Sequence, residues 1–263
     1  MNWNPTWICP ANDLGDPAAV FGTSFVFEKK ITHANLTITA MGVYEARLNG
    51  RRVGQFVMAP GWTSYHKRLQ YQEYDITDLL TNGKNEIEVT VGKGWYRSPL
   101  PGWLGCAYQD ELRSRPCGLA AQITLTFEDG SSKILSTDES WKVSDGPVRL
   151  SEIYDGEIYD SAKTPLLDQP VTIFDGPTDT LILQQGEEVC EQERLAVKKV
   201  FVTPNGETVL DFGQNMTGYV ELFVNAKAGD CVDLSFAEVM DKEGNFYTEN
   251  YRGAKAQYHY ICS

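Results

Sequence analysis

The sequence contains few of the residues from which metal and redox sites are built. Its 263 residues include only three histidines, and none of its six cysteines forms a Cys-x-x-Cys pair. Zinc ribbons and thioredoxin-type motifs are therefore excluded, because both need cysteines at that spacing. We expect the cysteines to be free, buried thiols. We predict no cofactor, with a calcium ion on loop oxygens as the alternative.

Positive charge and long apolar runs are also scarce. Lys and Arg number 23 against 36 Asp and Glu, so the formal net charge is −13. We therefore expect neither nucleic acid nor membrane as a partner, because phosphates attract basic patches. No apolar run is long enough to span a membrane, and the N-terminal residues lack the regions of a signal peptide. The sequence predicts a cytoplasmic protein, with secretion as the alternative if a leader was removed.

Apolar and polar residues alternate with a period of two through much of the chain, which predicts half-buried β-strands. The alternating segments are residues 36–40, 86–91, 121–127, 133–135, 207–211, 218–224, 231–236 and 256–263. Asp129-Gly130 predicts a tight hairpin turn. Only residues 76–80 indicate a single helical turn. An all-β protein of antiparallel sandwiches or jelly rolls is therefore expected.

The predicted strands fall into two groups. A proline-rich, weakly patterned stretch at residues 162–177 separates them, as a linker or crossover would. We therefore predict one β-sandwich domain over residues 1–175 and a second over residues 176–263. The final alternating segment runs to the last residue, so it either completes the second sandwich or leaves that domain incomplete at its C-terminus.

Six motifs occur in a recognisable order. They are residues 42–46 (GVYEA), 49–54 (NGRRVG), 59–65 (APGWTSY), 92–96 (GKGWY), 209–220 (VLDFGQNMTGYV) and 237–250 (AEVMDKEGNFYTEN). Together they resemble the N-terminal β-domains of bacterial α-L-rhamnosidases, and the resemblance covers nearly the whole chain. It implies that the first domain is a galactose-binding-like jelly roll and the second a β-sandwich.

The resemblance also implies where the chemistry of that family resides. An (α/α)₆ barrel that follows these domains hydrolyses terminal α-L-rhamnose with inversion, using a general-acid and a general-base glutamate. Cys9-Pro10 lacks the charged run of the family's catalytic stretch, and no helical region is present. We therefore assign no catalytic residue and expect this chain alone to be inactive. It would be a non-catalytic scaffold for the C-terminal catalytic domain of a glycosidase.

Two aromatic loops are the best candidates for a binding site. The candidate residues are Trp62, Tyr65, His66, Trp95, Tyr96, Arg97 and Trp103. Aromatic rings stack on the apolar face of a sugar, while Arg, His and Tyr form hydrogen bonds with its hydroxyls. The alternative function is therefore a module that binds a rhamnose-containing oligosaccharide or glycoside. A competing interpretation places Trp62 and Trp95 in the core or between domains.

The numerous carboxylates are predicted to lie on the surface and in turns and not to form a catalytic site. The cluster of Glu152, Asp155, Glu157 and Asp160 is typical of a solvated surface. Asp241 begins the sequence Asp-Lys-Glu-Gly-Asn, which predicts a polar hairpin turn.

Overall fold

A computed structural model describes residues 3–98 and 116–263, and strands predominate in both ranges. The strands are β1 (Trp7–Pro10), β2 (Ala19–Phe27), β3 (Ile31–Met41), β4 (Val43–Leu48), β5 (Arg51–Arg52), β6 (Leu69–Asp75), β7 (Gly83–Gly92), β8 (Gly118–Phe127), β9 (Ser132–Ser136), β10 (Lys142–Ser144), β11 (Val148–Glu152), β12 (Gly156–Asp160), β13 (Gln169–Phe174), β14 (Leu181–Leu183), β15 (Lys199–Val202), β16 (Thr208–Asp211), β17 (Cys231–Ser235), β18 (Val239–Met240), β19 (Phe246–Tyr247) and β20 (Gln257–Ile261). Two short 3₁₀ helices span Thr77–Leu79 and Glu249–Tyr251. None of the helices in these ranges is long and apolar enough to cross a membrane.

Twelve strands form one sheet that folds over a shared core. Their order is β14-β6-β3-β8-β1-β13-β10-β2-β7-β4-β5, with β9 beside β8. Strand β13 joins the two halves, because it pairs with β1 on one side and β10 on the other. Side chains from both halves meet in one apolar cluster, with Phe21 and Ile87 from one half and Leu36 and Leu125 from the other. The all-β prediction is confirmed, and this first unit is a β-sandwich.

The local signals for turns in this unit are also confirmed. Asn49 and Gly50 have φ angles of 53° and 76°, and they join β4 to β5 in the tight turn that Asn-Gly favours. Gly130 has a φ of 78° in the turn between β8 and β9. The Asp75 carboxylate accepts a hydrogen bond from the Thr77 backbone N–H at 2.9 Å, where the predicted helical turn begins.

The remaining strands form small sheets. Strands β11, β12, β20 and β17 form one sheet, while β15–β16 and β18–β19 form two separate ribbons. Strands β12 and β20 are parallel, and the rings of Tyr159 and Tyr260 stack across them with centroids 5.5 Å apart. A hairpin from the first half of the chain therefore shares a sheet with strands from the second half. The domain boundary at residue 175 stays a prediction.

Two strand predictions need correction. Residues 218–224 alternate like a strand but are irregular, and Phe223 is 89 % exposed. No described strand pairs with this segment, and a lone strand leaves its backbone hydrogen bonds unmade. Conversely, the stretch at 162–177 contains the central strand β13, because β1 and β10 both pair with it.

The described cysteines are free, as predicted, but not all are buried. Cys9 and Cys262 are buried, whereas Cys231 is exposed at the start of β17. Strand β17 is the last strand in the described order of its sheet, and Cys231 is its first residue. The prediction of burial is therefore wrong for Cys231, and Cys117 and Cys190 are only partly buried. Cys106 lies outside the residues that the structure describes.

Candidate functional site

Two tryptophans from separate loops meet at the surface. Trp62 lies between β5 and β6, and Trp95 follows β7. Their rings stack with centroids 6.1 Å apart and an interplanar angle of 4°. Trp62 is 61 % exposed and Trp95 is half-buried. The interpretation of Trp62 as a core residue is therefore wrong for this chain.

Both loops are held against strand β4, which fixes the position of the stack. The Tyr44 N–H donates to the carbonyl of Ala59 at 2.7 Å, just before the Trp62 loop. On the other side, Gly94 has a φ of 52°, and a Cβ atom there would lie 2.6 Å from Val43 Cγ1. Only glycine permits this close approach, so the chain can present Trp95 beside Trp62.

The next residues of the same loops form a cavity. The ring of Tyr65 contacts that of Tyr96 edge-on, with centroids 5.3 Å apart. The cavity measures about 180 Å³, and its lining residues are Met41, Tyr65, His66, Leu69, Tyr96 and Pro177. Met41, Leu69 and Tyr96 also belong to a second apolar cluster with Trp7 and Ala120. None of the lining residues is Asp, Glu, Lys or Arg, so the lining carries no permanent charge.

Polar groups remain available at this surface. The described indole N–H groups that donate hydrogen bonds within the protein belong to Trp7 and Trp141. Those of Trp62 and Trp95 have no acceptor in the described part of the chain. The ring nitrogens of His66, an exposed residue, likewise have no partner there. These groups are free to form hydrogen bonds with a ligand.

Five of the seven predicted site residues thus come together. Trp62 and Trp95 form the stack, while Tyr65, His66 and Tyr96 line the cavity.

Arg97 is not one of the lining residues of that cavity. Arg97 lines a different cavity of about 210 Å³ with Lys93 and Cys117. Trp103 lies outside the described residues.

The sequence interpretation missed Met41, Leu69 and Pro177. Apolar residues far apart in sequence carry no ligand signature, so no local signal identified them.

The carboxylates divide between turns and one buried position. The Asp241 carboxylate accepts a hydrogen bond from the Asn245 N–H at 2.7 Å, which closes the predicted hairpin turn between β18 and β19. The same hydrogen bond is the main cause of the lowered pKa of Asp241. Within the described ranges, no group of three or more His, Cys, Asp and Glu residues could hold a metal ion. We therefore assign no residue to calcium.

Glu152 contradicts the prediction of a solvated surface. It is only 7 % exposed, and its Oε2 atom accepts hydrogen bonds from the N–H groups of Tyr154 and Asp155 at 2.6 and 2.8 Å. These bonds stabilise the turn between β11 and β12, so the carboxylate is needed inside the fold. Glu157 on β12 is half-buried, and burial raises its pKa.

Comparison with known proteins identifies relatives over nearly the whole chain. Residues 29–193 match the α-L-rhamnosidase N-terminal domain, and residues 201–263 match the bacterial α-L-rhamnosidase concanavalin-like domain. An α-L-rhamnosidase of Streptomyces avermitilis is 37 % identical over 239 residues, which cover 87 % of this chain and 23 % of that protein.

Solved structures agree in fold as well as in sequence. The α-L-rhamnosidase of Aspergillus terreus matches with a TM-score of 0.91 and 36 % identity, over 99 % of this chain and 31 % of that one. The Streptomyces avermitilis enzyme complexed with L-rhamnose matches with a TM-score of 0.86 and 35 % identity, over 94 % of this chain and 25 % of that one. This chain spans only 23–30 % of the length of the curated relatives it matches. From its two domain matches and its fold, the chain belongs to the α-L-rhamnosidase family.

Proposed function

We propose that this chain is the non-catalytic scaffold of an α-L-rhamnosidase and packs against the catalytic domain of the same protein. The observation that carries the proposal is the apolar surface of the concanavalin-like half. Its exposed apolar side chains are Val200, Val202, Leu210, Met216, Tyr219, Leu222, Phe223, Val224, Val239 and Met240. Large apolar side chains exposed in this number favour an interface, because soluble monomers rarely expose large contiguous apolar patches.

The occupant of that surface is further sequence of the same protein. The relatives are α-L-rhamnosidases of which this chain covers less than a third. Residues 218–224 carry the alternation of a strand but find no partner among the described strands. A neighbouring segment of the protein would supply the missing hydrogen bonds and cover Phe223. The whole protein would then act on α-L-rhamnosides.

The test compares residues 1–263 with the full reading frame of the same gene. With p-nitrophenyl α-L-rhamnopyranoside as substrate, we expect the full product to release p-nitrophenol and residues 1–263 to release none. A dye that fluoresces on apolar surface should bind residues 1–263 more strongly per mole than it binds the full product. Hydrolysis by residues 1–263 would overturn the scaffold role, and equal dye binding would overturn the proposed interface.

A further inference from the structure

We propose that an arginine side chain from the remainder of the protein binds to Glu157 and to the tyrosines beside it on the sheet of β11, β12, β20 and β17. The inference rests on the proposed function, because the arginine would come from the same further sequence. The contact is separate from the exposed apolar side chains named above and differs from them in chemistry. We call Glu157, Tyr159, Tyr258 and Tyr260 the tyrosine–carboxylate face.

Strand register places these four side chains on one face of the sheet. Strands β12 and β20 run parallel, and Glu157 lies opposite Tyr258. Two residues further along, Tyr159 lies opposite Tyr260, and their rings stack with an interplanar angle of 4°. Residues two apart on a strand point to the same side, so the two pairs form one patch. The ring of Phe236 extends this patch by contacting Tyr258 edge-on, with centroids 4.9 Å apart.

The carboxylate of Glu157 lacks a compensating positive charge. Glu157 is half-buried, and its carboxylate forms no hydrogen bond or ion pair within the described part of the chain. Burial raises its pKa. Burial is also the main cause of the raised pKa of Tyr258, and the negative charge of Glu157 adds to it. A carboxylate held in this way costs free energy that a neighbouring cation would offset.

The basic residues of the same sheet are already paired. Arg149 on β11 forms an ion pair with Asp145 at 2.7 Å. His259 on β20 pairs with Asp233. As the residue next to Tyr258, His259 also points to the opposite face of the sheet. The four strands contain no other Lys, Arg or His, so the cation has to come from outside the sheet.

Basic residues close to the sheet in the chain or in space are engaged as well. Lys255, which precedes β20, pairs with Asp155 at 3.6 Å. Arg47 on β4, whose charge acts on Tyr159, pairs with Glu45 at 2.8 Å. The partner of Glu157 is therefore expected in further sequence, and the matched relatives are more than three times as long as this chain.

Arginine fits the tyrosine–carboxylate face better than other cations. Its planar guanidinium stacks on aromatic rings and presents parallel N–H groups to a carboxylate. The ammonium of lysine is a strongly hydrated point charge and gains less from the tyrosine rings. A metal ion is disfavoured, because the described ranges contain no group of three or more His, Cys, Asp and Glu residues that could hold one.

The experiment measures the effect of Glu157→Gln in residues 1–263 and in the product of the full reading frame at pH 7. Hydrogen exchange of the backbone amides of β12 and β20, followed by mass spectrometry, provides the same local measurement in both proteins. In residues 1–263 the substitution removes an uncompensated charge, so exchange should slow roughly fivefold. In the full product it leaves the arginine without its carboxylate, so exchange should accelerate by about tenfold or more.

Glu128→Gln is the matched control, because Glu128 is exposed and paired with Lys30 at 3.0 Å. It should leave the exchange of β12 and β20 unchanged in both proteins. Circular dichroism spectra that match those of the parent proteins would show that the variants are folded.

Two outcomes would overturn the inference. If Glu157→Gln changed exchange in the same direction in both proteins, the partner would carry no positive charge, because a neutral group accepts glutamine in place of glutamate. A zero-length cross-link from Glu157 after carbodiimide treatment of the full product would identify a lysine and overturn the choice of arginine. If either occurred while the full product alone hydrolysed p-nitrophenyl α-L-rhamnopyranoside, only this inference would fail. Absence of hydrolysis by the full product would instead count against the proposed function.

Discussion

The hydroxyl of Tyr44 donates a hydrogen bond to Gln72 Oε1 at 2.7 Å, and both side chains are buried. The Gln72 Nε2 group donates in turn to Gln184 Oε1 at 2.9 Å. A polar chain thus runs from the core of the first sandwich to the segment that follows β14. Buried networks whose groups are satisfied favour one arrangement of the fold. This network therefore fixes the path on which the chain leaves the sandwich.

We expect Tyr44→Phe to lower the free energy of unfolding by about 1–3 kcal/mol. The variant leaves the buried Gln72 carbonyl without its donor, and that desolvation is costly. Urea denaturation of residues 1–263 provides the measurement. Tyr74→Phe is the matched control, because the Tyr74 hydroxyl lies 3.4 Å from that of Tyr44 in a less buried position. An equal or larger loss in the control would contradict the special role of Tyr44.

Gly94→Ala should disturb the Trp62–Trp95 stack as well as the stability. The added Cβ would lie 2.6 Å from Val43 Cγ1 and 3.0 Å from Val43 N, so the loop after β7 must move. We expect a loss of about 1–3 kcal/mol in the free energy of unfolding and a changed near-ultraviolet circular dichroism spectrum. Gly50→Ala is the control, since Gly50 also has a positive φ but no atom lies within 4 Å of the added Cβ. An unchanged spectrum in Gly94→Ala would show that the loop position does not depend on this glycine.

Much of the first sandwich could be predicted because its signals are local. Alternation identified the segments of β3, β7 and β8, and Asn49-Gly50 identified a turn. Strand pairing depends on residues that are distant in sequence, which explains the two wrong strand predictions. Residues 218–224 have the pattern of a strand without a described partner, whereas the proline-containing β13 becomes a strand because two neighbours pair with it.

The candidate site could be predicted only in part, because it too depends on contacts between residues that are distant in sequence. Trp62 and Trp95 could be named as candidates because aromatic residues in loops suggest sugar binding, but their exposure could not be predicted. Met41, Leu69 and Pro177 could not, because the cavity exists only after the chain has folded. The acidic composition around Glu152 also led to a wrong prediction of solvent exposure. The Glu152 carboxylate instead accepts two backbone hydrogen bonds inside the fold.

Glu157→Gln should stabilise residues 1–263 at pH 7. Burial raises the pKa of Glu157, so the folded state binds a proton more tightly than the unfolded chain does. The parent chain should therefore gain stability as the pH falls from neutral through the raised pKa, down to the unfolded value of about 4.3. The variant should lack this gain, so its advantage should disappear below that pH.

Urea denaturation at several pH values measures this difference. Glu128→Gln is the control, because Glu128 is exposed and paired with Lys30 at 3.0 Å. A constant difference between Glu157→Gln and the parent chain from pH 7 to pH 4 would contradict the role of the Glu157 charge.

Residues 1–263 should self-associate as their concentration rises. Phe223 is 89 % exposed in a strand-like segment, and the edge of β17 has no second neighbour among the described strands. Open edges and apolar side chains recruit further strands, although the net charge of −13 opposes close approach.

Light scattering should therefore show a mass that increases with concentration and with added salt, because salt screens the repulsion. Phe223→Asp should reduce this association, whereas Val26→Asp, at a 57 % exposed position of the first sandwich, should have little effect. A monomeric mass at every concentration and salt level would show that the exposed segment does not mediate self-association.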